Sequence, residues 1–206
     1  MIIALHAKAG AGKDALADRL VVAHGFVKRG FATPLYEEVA HAFRVTPEWL
    51  ADRSRKEVPQ DELRLTRCYD SFFADCMANA GHSVSEPRSP RWLLQQWGTE
   101  YRRGQDLDYW LKRMAVFCKA AFDTGARGVA IIDTRFENEA QWVKDAGGHV
   151  IEIVRPGLKP VEGEHVSAKR LPQRFLDGTV HNIGTLADLY VAADELLENL
   201  HAAVPA

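Results

Sequence analysis

Unbroken apolar runs alternate along this chain with stretches in which apolar residues recur every third or fourth position. Ile2-Ile3-Ala4-Leu5 and Val129-Ala130-Ile131-Ile132 are short continuous runs of the kind buried on both faces of a parallel sheet. Phe26 to Phe31, His149 to Val154 and Val180 to Ile183 read as three further strands. Helical spacing follows Lys13 at Leu16, Ala17 and Leu20, and follows Thr33-Pro34 at Tyr36, Val39, Ala40 and Phe43. Thr46-Pro47 repeats that start signal for a short helix around Trp49 and Leu50. Leu65, Cys68, Phe72 and Cys76 predict a helix from Asp61 to Ala80, stopped by Gly81. Ser89-Pro90 opens another, RWLLQQWGTEYRR.

The clearest amphipathic helix runs through Leu107, Trp110, Leu111, Met114, Phe117, Cys118 and Ala121, with Asp106 as its cap and the aromatic stripe as core. A helix through Ala140, Trp142, Val143 and Ala146 ends at Gly147-Gly148, and Thr185 with Asp188 resembles a capping box for a last helix whose Leu186, Leu189, Tyr190, Ala193, Leu196, Leu197 and Leu200 are expected to face the core. Three polar stretches interrupt the pattern. Residues 52–60 read as a loop, 81–90 as a turn-rich mobile connection, and 156–178 as a long loop or lid carrying His165, Lys169, Arg170 and Arg174.

Length and composition fit one α/β domain with an elaboration: 206 residues, 47% hydrophobic and 26% charged. No apolar run approaches the roughly 20 residues of a membrane span, and the opening strand lacks the length and basic flank of a signal peptide, so a cytoplasmic protein is expected. A net charge of −2 argues against a general duplex-binding surface. Arginines nevertheless cluster at 53, 55, 64 and 67, and again at 88, 91, 102 and 103, which suits a small phosphorylated substrate. Cys68, Cys76 and Cys118 lack metal-ligand spacing and read as reduced packing residues on helical apolar faces.

The chemistry concentrates after the first strand. Ala7-Lys8-Ala9-Gly10-Ala11-Gly12 is a small flexible loop between that strand and a helix opening with Lys13-Asp14-Ala15, the arrangement of a phosphate-cradling P-loop. Gly10 and Gly12 allow inward-pointing backbone N–H groups, the helix adds its free N–H groups and positive dipole end, and Lys13 adds a full charge. Ala9 to Ala15 are therefore the candidate nucleotide-binding residues. Two departures from the usual GxxxxGK[ST] stand out: Ala7 replaces the first glycine, and Asp14 replaces the hydroxyl that ordinarily ligates magnesium. Asp14 then either binds the ion or leaves it to another residue.

A second acidic element lies at the carboxyl end of the Val129 strand, where ligands bind in open α/β sheets. Asp133 can hold a metal or its waters there, and Arg135 can clamp a transferring phosphoryl group. Arg91, Gln95 and Arg102 recur at i, i+4 and i+11 on one predicted helical stripe, offering guanidinium forks to a phosphate and an amide to a base edge. Gly98 within that helix points to a bend or a close ligand approach.

In order and spacing, AKAGAGKDALAD, GFATPLYE, LLQQWGTEYRR with DYW, IIDTRFENEA, GGHVIEIVRPG, EHVS and HNIGTLADL resemble the phage-type deoxynucleoside monophosphate kinases over nearly the whole chain. The GKD and DTR segments are also similar to phosphomevalonate kinase. Ala168 departs from the family's HxSE pattern, where a glutamate is expected, so His165 is carried over only weakly.

The resemblance implies a three-layer α/β/α P-loop fold with a central parallel five-stranded sheet, the P-loop strand in its middle. The core would comprise about 1–33, 106–155 and 179–206, with a helical acceptor-binding insertion at about 34–105 and a lid at 156–178. It implies ATP and Mg2+ as cofactors, with Lys13, Asp133, Arg135 and Arg155 catalytic and Asp14 and Asp133 at the metal. On the reading of the residues themselves, Arg91, Gln95, Arg102, Asp133 and Arg135 would bind substrate.

The expected activity is phosphorylation of a deoxynucleoside 5′-monophosphate, a base-modified one included, in the cytoplasm, of the host if the gene is a phage's. Small nucleotides would be the partners, with no nucleic acid and no membrane, and a homodimer left open. The rivals are a kinase of another phosphate ester, phosphomevalonate being the nearest, and a nucleotide-binding switch that transfers nothing.

Overall fold

The computed structural model describes residues 1–158 and 170–202. The chain divides into two compact units, one formed by Met1–Phe31 with Met114–Ala206 and the other by Ala32–Arg113.

The first unit is built on five parallel strands, β1 (Ile2–His6), β2 (Phe26–Arg29), β3 (Gly128–Ile131), β4 (His149–Val154) and β5 (Gly178–His181), in the order β2-β3-β1-β4-β5. β1 is thus central, as the resemblance implied. Its residues Ile2 to Leu5 are all buried, which explains why the sequence there is continuously apolar rather than alternating. Ile3 and Leu5 share one face with Leu16, Ala17 and Leu20 of α1 (Lys13–His24) and Leu189, Ala193 and Leu197 of α8 (Leu186–Ala202). Ile2 points the other way. A Cβ added at Gly148 would meet both Ile2 and Val143, so α7 (Glu137–Asp145) covers the opposite face and the unit has three layers. Thr185 and Asp188 exchange the expected capping bonds, at 2.7 and 3.3 Å.

The second unit is helical: α2 (Thr33–Phe43), α3 (Pro47–Ala51), α4 (Ser71–Asn79), α5 (Pro90–Gln95) and the start of α6 (Tyr109–Asp123) surround Val39, Leu50, Leu63, Leu65, Phe73, Leu93 and Trp97. Phe73, Trp97 and Tyr101 form a triangle of rings with centroids 4.5 to 5.3 Å apart. Thr46 caps α3 through the Trp49 N–H, as its sequence predicts.

Two helical expectations are corrected. The helix expected over 61–80 begins only at Ser71; before it lie two 3-10 turns, Asp61–Leu63 and Leu65–Arg67, separated by Arg64 and ended by Cys68, both with extended backbone. The N–H groups of Thr66 and Tyr69 go instead to the Val84 and Ala42 carbonyls, at 3.1 and 2.8 Å, so tertiary hydrogen bonds displace the helical ones. Cys68 therefore lies in this link, not on a helix face, although all three cysteines are free as expected. The expected mobile connection at 81–90 is tied by Thr66 to Val84, by Gln60 to the Arg88 carbonyl and by Arg88 to the Ser83 carbonyl.

The second correction concerns RWLLQQWGTEYRR, which is α-helical only to Gln95 and continues as a π-helix over Gln96–Arg103. The period of 3.6 that set Arg91, Gln95 and Arg102 on one stripe ends there. Gly98 lies inside the π segment: a Cβ would come within 3.1 Å of Leu35, and its carbonyl accepts the Trp110 indole N–H at 3.1 Å. Among the described residues, no helix is long and apolar enough to cross a membrane.

Candidate active site

The loop between β1 and α1 is shaped by two left-handed glycines, Gly10 at φ +80° and Gly12 at φ +104°. Ala7 is not among the residues with positive φ, so the missing first glycine leaves no backbone strain. Ala11 is buried and packs into the core beneath the loop. From the end of β5, Asn182 donates to the Ala11 carbonyl at 2.9 Å, and a Cβ on Gly12 would stand 2.7 Å from the same amide nitrogen. The loop is held from below by a side chain 171 residues away in sequence.

Lys13 donates to the carbonyls of Ala7 and Lys8 at 2.8 and 3.3 Å. Its ammonium is held below the ordinary lysine range, first by burial and then by the nearby Arg135 guanidinium, with Asp14 and Asp133 opposing the shift. Three sequence-nominated groups, Arg135, Asp14 and Asp133, are therefore in electrostatic reach of Lys13. Asp14 is exposed in the first turn of α1. The Asp133 carboxylate accepts the Phe31 N–H at 2.6 Å, and it lies so close to Gly30 that a Cβ there would be 2.6 Å from it. Arg135 is exposed, and the N–H groups of Arg135 and Phe136 are both held by the buried Glu139 carboxylate, at 2.8 and 3.1 Å.

These elements border a cleft of about 450 Å³ whose cations are Lys8, Lys13, Arg135, Arg155 and Arg170. Arg155 reaches the Gly10 carbonyl at 3.4 Å. Ala9 also lines the cleft, while Ala15 packs toward the core. The cleft's carboxylate, Glu152, is already taken by a bidentate pair with Arg170 at 2.7 and 2.6 Å. Helix dipole, loop amides and excess cations thus favour a polyanion. Among the described residues no group of three or more His, Cys, Asp or Glu side chains could hold a metal. Asp14 and Asp133 near Lys13 supply the one or two carboxylates that magnesium takes from a protein, water and substrate phosphates completing its shell.

The nominated residues of the helical unit separate. Arg102 lies in a cleft of about 630 Å³ with Glu38, His41, Asp70, Phe72 and Arg113. Its guanidinium donates to Glu38 at 2.8 Å and lies over the rings of Trp97, Tyr101 and Tyr109. Glu38 also accepts from Trp97 Nε1 at 3.0 Å and Tyr109 Oη at 2.6 Å, so it is the hub of this cluster. Arg91 instead pairs with exposed Glu57, and Gln95 is exposed; neither lines that cleft. His165, Lys169 and the EHVS segment lie outside the described residues.

His6, Glu38, Glu139, Glu152 and Asn182 were not singled out by sequence reasoning. Burial of a polar residue inside an apolar strand pattern is the available signal for His6 and Glu152, which face each other in the β1–β4 register and are 8% and 6% exposed.

Comparison with known proteins gives a consistent set of matches. A family model described as deoxynucleotide monophosphate kinase matches residues 54–192. The chain is 29% identical over 213 residues to a putative deoxynucleotide monophosphate kinase of Acanthamoeba polyphaga mimivirus, covering 97% of each sequence. It is 31% identical over 110 residues to the deoxynucleotide monophosphate kinase of Enterobacteria phage T4, covering 53% of this chain and 45% of the relative. Among solved structures, dephospho-CoA kinase from Campylobacter jejuni superposes with a TM-score of 0.50 at 13% identity, covering 97% of this chain and 96% of that one, which speaks to fold alone.

Proposed function

This chain belongs to the deoxynucleotide monophosphate kinase family, and on that premise we propose that it transfers the γ-phosphoryl group of ATP to the 5′-phosphate of a deoxynucleoside monophosphate, giving ADP and the deoxynucleoside diphosphate. The observation that carries the reading is the clamped loop with Lys13, partly desolvated and facing Arg135, at the mouth of a cationic cleft.

The acceptor phosphate is already a nucleophile, so no strong general base is needed. Catalysis falls to positioning and charge neutralisation. Apart from the Ala11 N–H, which donates to the Lys8 carbonyl, the N–H groups of the loop from Ala9 to Ala15 and the Lys13 ammonium would hold the ATP phosphates. Arg135 and Arg155, both lining the cleft, stabilise charge on the group in flight. Asp14 and Asp133 are the residues that would hold magnesium, which supplies positive charge to the phosphate oxygens.

On the acceptor side we assign Arg102 and leave out Arg91 and Gln95, which do not line its cleft. The Arg102 cleft supports this, because its guanidinium is fixed by Glu38 and three rings rather than free to wander. Small nucleotides are the partners this chemistry requires. Work in the cytoplasm, without nucleic acid or membrane, belongs to the same proposal.

The test is ADP release from ATP and magnesium with each of the four common deoxynucleoside monophosphates, base-modified ones and phosphomevalonate as separate acceptors. Stimulation by one or more deoxynucleotides is expected. Stimulation by phosphomevalonate alone, or tight ATP binding with no acceptor-stimulated turnover, would overturn the proposal.

A further inference from the structure

His6 ends β1 one residue before the phosphate loop, at a position where the apolar run of that strand could simply continue. Its side chain is buried and bonded at both nitrogens. Nδ1 lies 2.9 Å from the Thr134 carbonyl, and Nε2 lies 3.2 Å from the backbone N–H of Leu171. A backbone N–H can only donate and a carbonyl can only accept, so one neutral tautomer satisfies both, with the proton on Nδ1 and Nε2 bare.

Both partners adjoin residues of the phosphate cleft. Thr134 sits between Asp133 and Arg135, and Leu171 follows Arg170, whose guanidinium is fixed by Glu152 beside His6 in the sheet. The Asp133–Arg135 turn makes little provision for itself: among the described residues the buried Thr134 hydroxyl has no partner, Glu139 holds the N–H groups of Arg135 and Phe136, and His6 holds the Thr134 carbonyl.

We propose that His6 is a positioning residue for phosphoryl transfer: its imidazole sets the Thr134 carbonyl, and with it Arg135, against the phosphate loop. This inference rests on the kinase reading above. The bond is made to the Thr134 backbone carbonyl, so the effect runs through backbone placement.

Three substitutions dissect the two bonds. In His6→Asn the amide nitrogen can replace Nδ1 and keep the Thr134 bond; in His6→Gln the amide oxygen can replace Nε2 and keep the Leu171 bond; His6→Phe fills the space and keeps neither. The wild-type enzyme is first assayed with its best deoxynucleotide, and then kcat, KM for ATP, KM for the acceptor and melting temperature are measured for each variant. Displacing a transition-state group by about 1 Å costs on the order of 100-fold, so His6→Phe and His6→Gln should lose about 10- to 100-fold in kcat, while His6→Asn stays within about threefold of wild type and KM for ATP changes little.

Equal kcat values for His6→Asn and His6→Gln, or a folded His6→Phe with wild-type kcat, would overturn the inference while leaving the kinase reading intact. If His6→Phe does not fold, the Asn against Gln comparison decides alone. Absence of deoxynucleotide-stimulated turnover in the wild type would overturn both.

Discussion

The Asn182 side-chain amide donates to the carbonyl of Ala11 at 2.9 Å and fills the space a Cβ on Gly12 would need. A residue from the end of the last strand thereby sets the phosphate loop at the end of the first. Glycine at position 12 is required twice over, for its φ of +104° and for this contact.

Replacing Asn182 by Leu should leave the buried Ala11 carbonyl without its donor, at a cost of about 1–3 kcal/mol. For a chain of this size that corresponds to a melting temperature lower by roughly 2–12 °C. The ATP dissociation constant should rise about tenfold, the equivalent of about 1.4 kcal/mol. Calorimetry for both quantities checks the prediction.

Lys13→Ala should keep the fold, since the Lys13 Nζ bonds are made to loop carbonyls that water can satisfy. Its kcat should fall by about 100- to 1,000-fold or more, the scale seen on removing one preorganised donor to developing charge. Circular dichroism alongside steady-state kinetics separates the two effects.

Arg102 and Arg91 make contrasting variants. Arg102→Ala removes a donor from Glu38, a hub only 11% exposed, and should both lower the melting temperature and raise KM for the acceptor more than KM for ATP. Arg91→Ala breaks a pair with Glu57 that is 63% exposed and should change stability by less than about 1 kcal/mol, so any rise in acceptor KM there reports on substrate alone. Thermal melts and two-substrate kinetics distinguish these outcomes.

Burial holds the His6 imidazole below its ordinary value of 6.5; the Thr134 carbonyl and Glu152 oppose that shift, and Lys13 and Arg170 assist it. The unfolded chain therefore takes up this proton at a higher pH than the native one. The corresponding stability is fully present above about pH 6.5 and is lost as pH falls from there through the lower native value. Urea denaturation at pH 7.5 and 5.5 should give lower stability at the acid pH, with a smaller difference in His6→Phe.

The sheet and the phosphate loop were legible because their signals are local. Four apolar residues ending in a Gly-Ala-Gly-Lys turn specify strand, loop and helix within twenty residues, and Thr185 with Asp188 specifies a helix start within four. What was not legible depends on partners distant in sequence. Nothing near Thr66 or Tyr69 announces that their N–H groups are taken by Val84 and Ala42, so the spacing of Leu65, Cys68 and Phe72 read as one helix. A period of 3.6 likewise cannot reveal the π-helix from Gln96, and only the packing of Gly98 against Leu35 shows why a residue without a side chain stands there. His6 and Glu152 show in the sequence only as polar residues in apolar strand runs and Asn182 only as a residue following a strand; their roles exist only once five strands lie side by side.

The most direct test follows the phosphoryl group itself. ATP labelled at its γ-phosphate is incubated with magnesium, the protein and each deoxynucleoside monophosphate, and the products are separated. Label should appear at the β-position of a deoxynucleoside diphosphate, and should disappear from it in Lys13→Ala or on chelation of magnesium. Label found only as inorganic phosphate, or unchanged in ATP with every deoxynucleotide, would contradict the account.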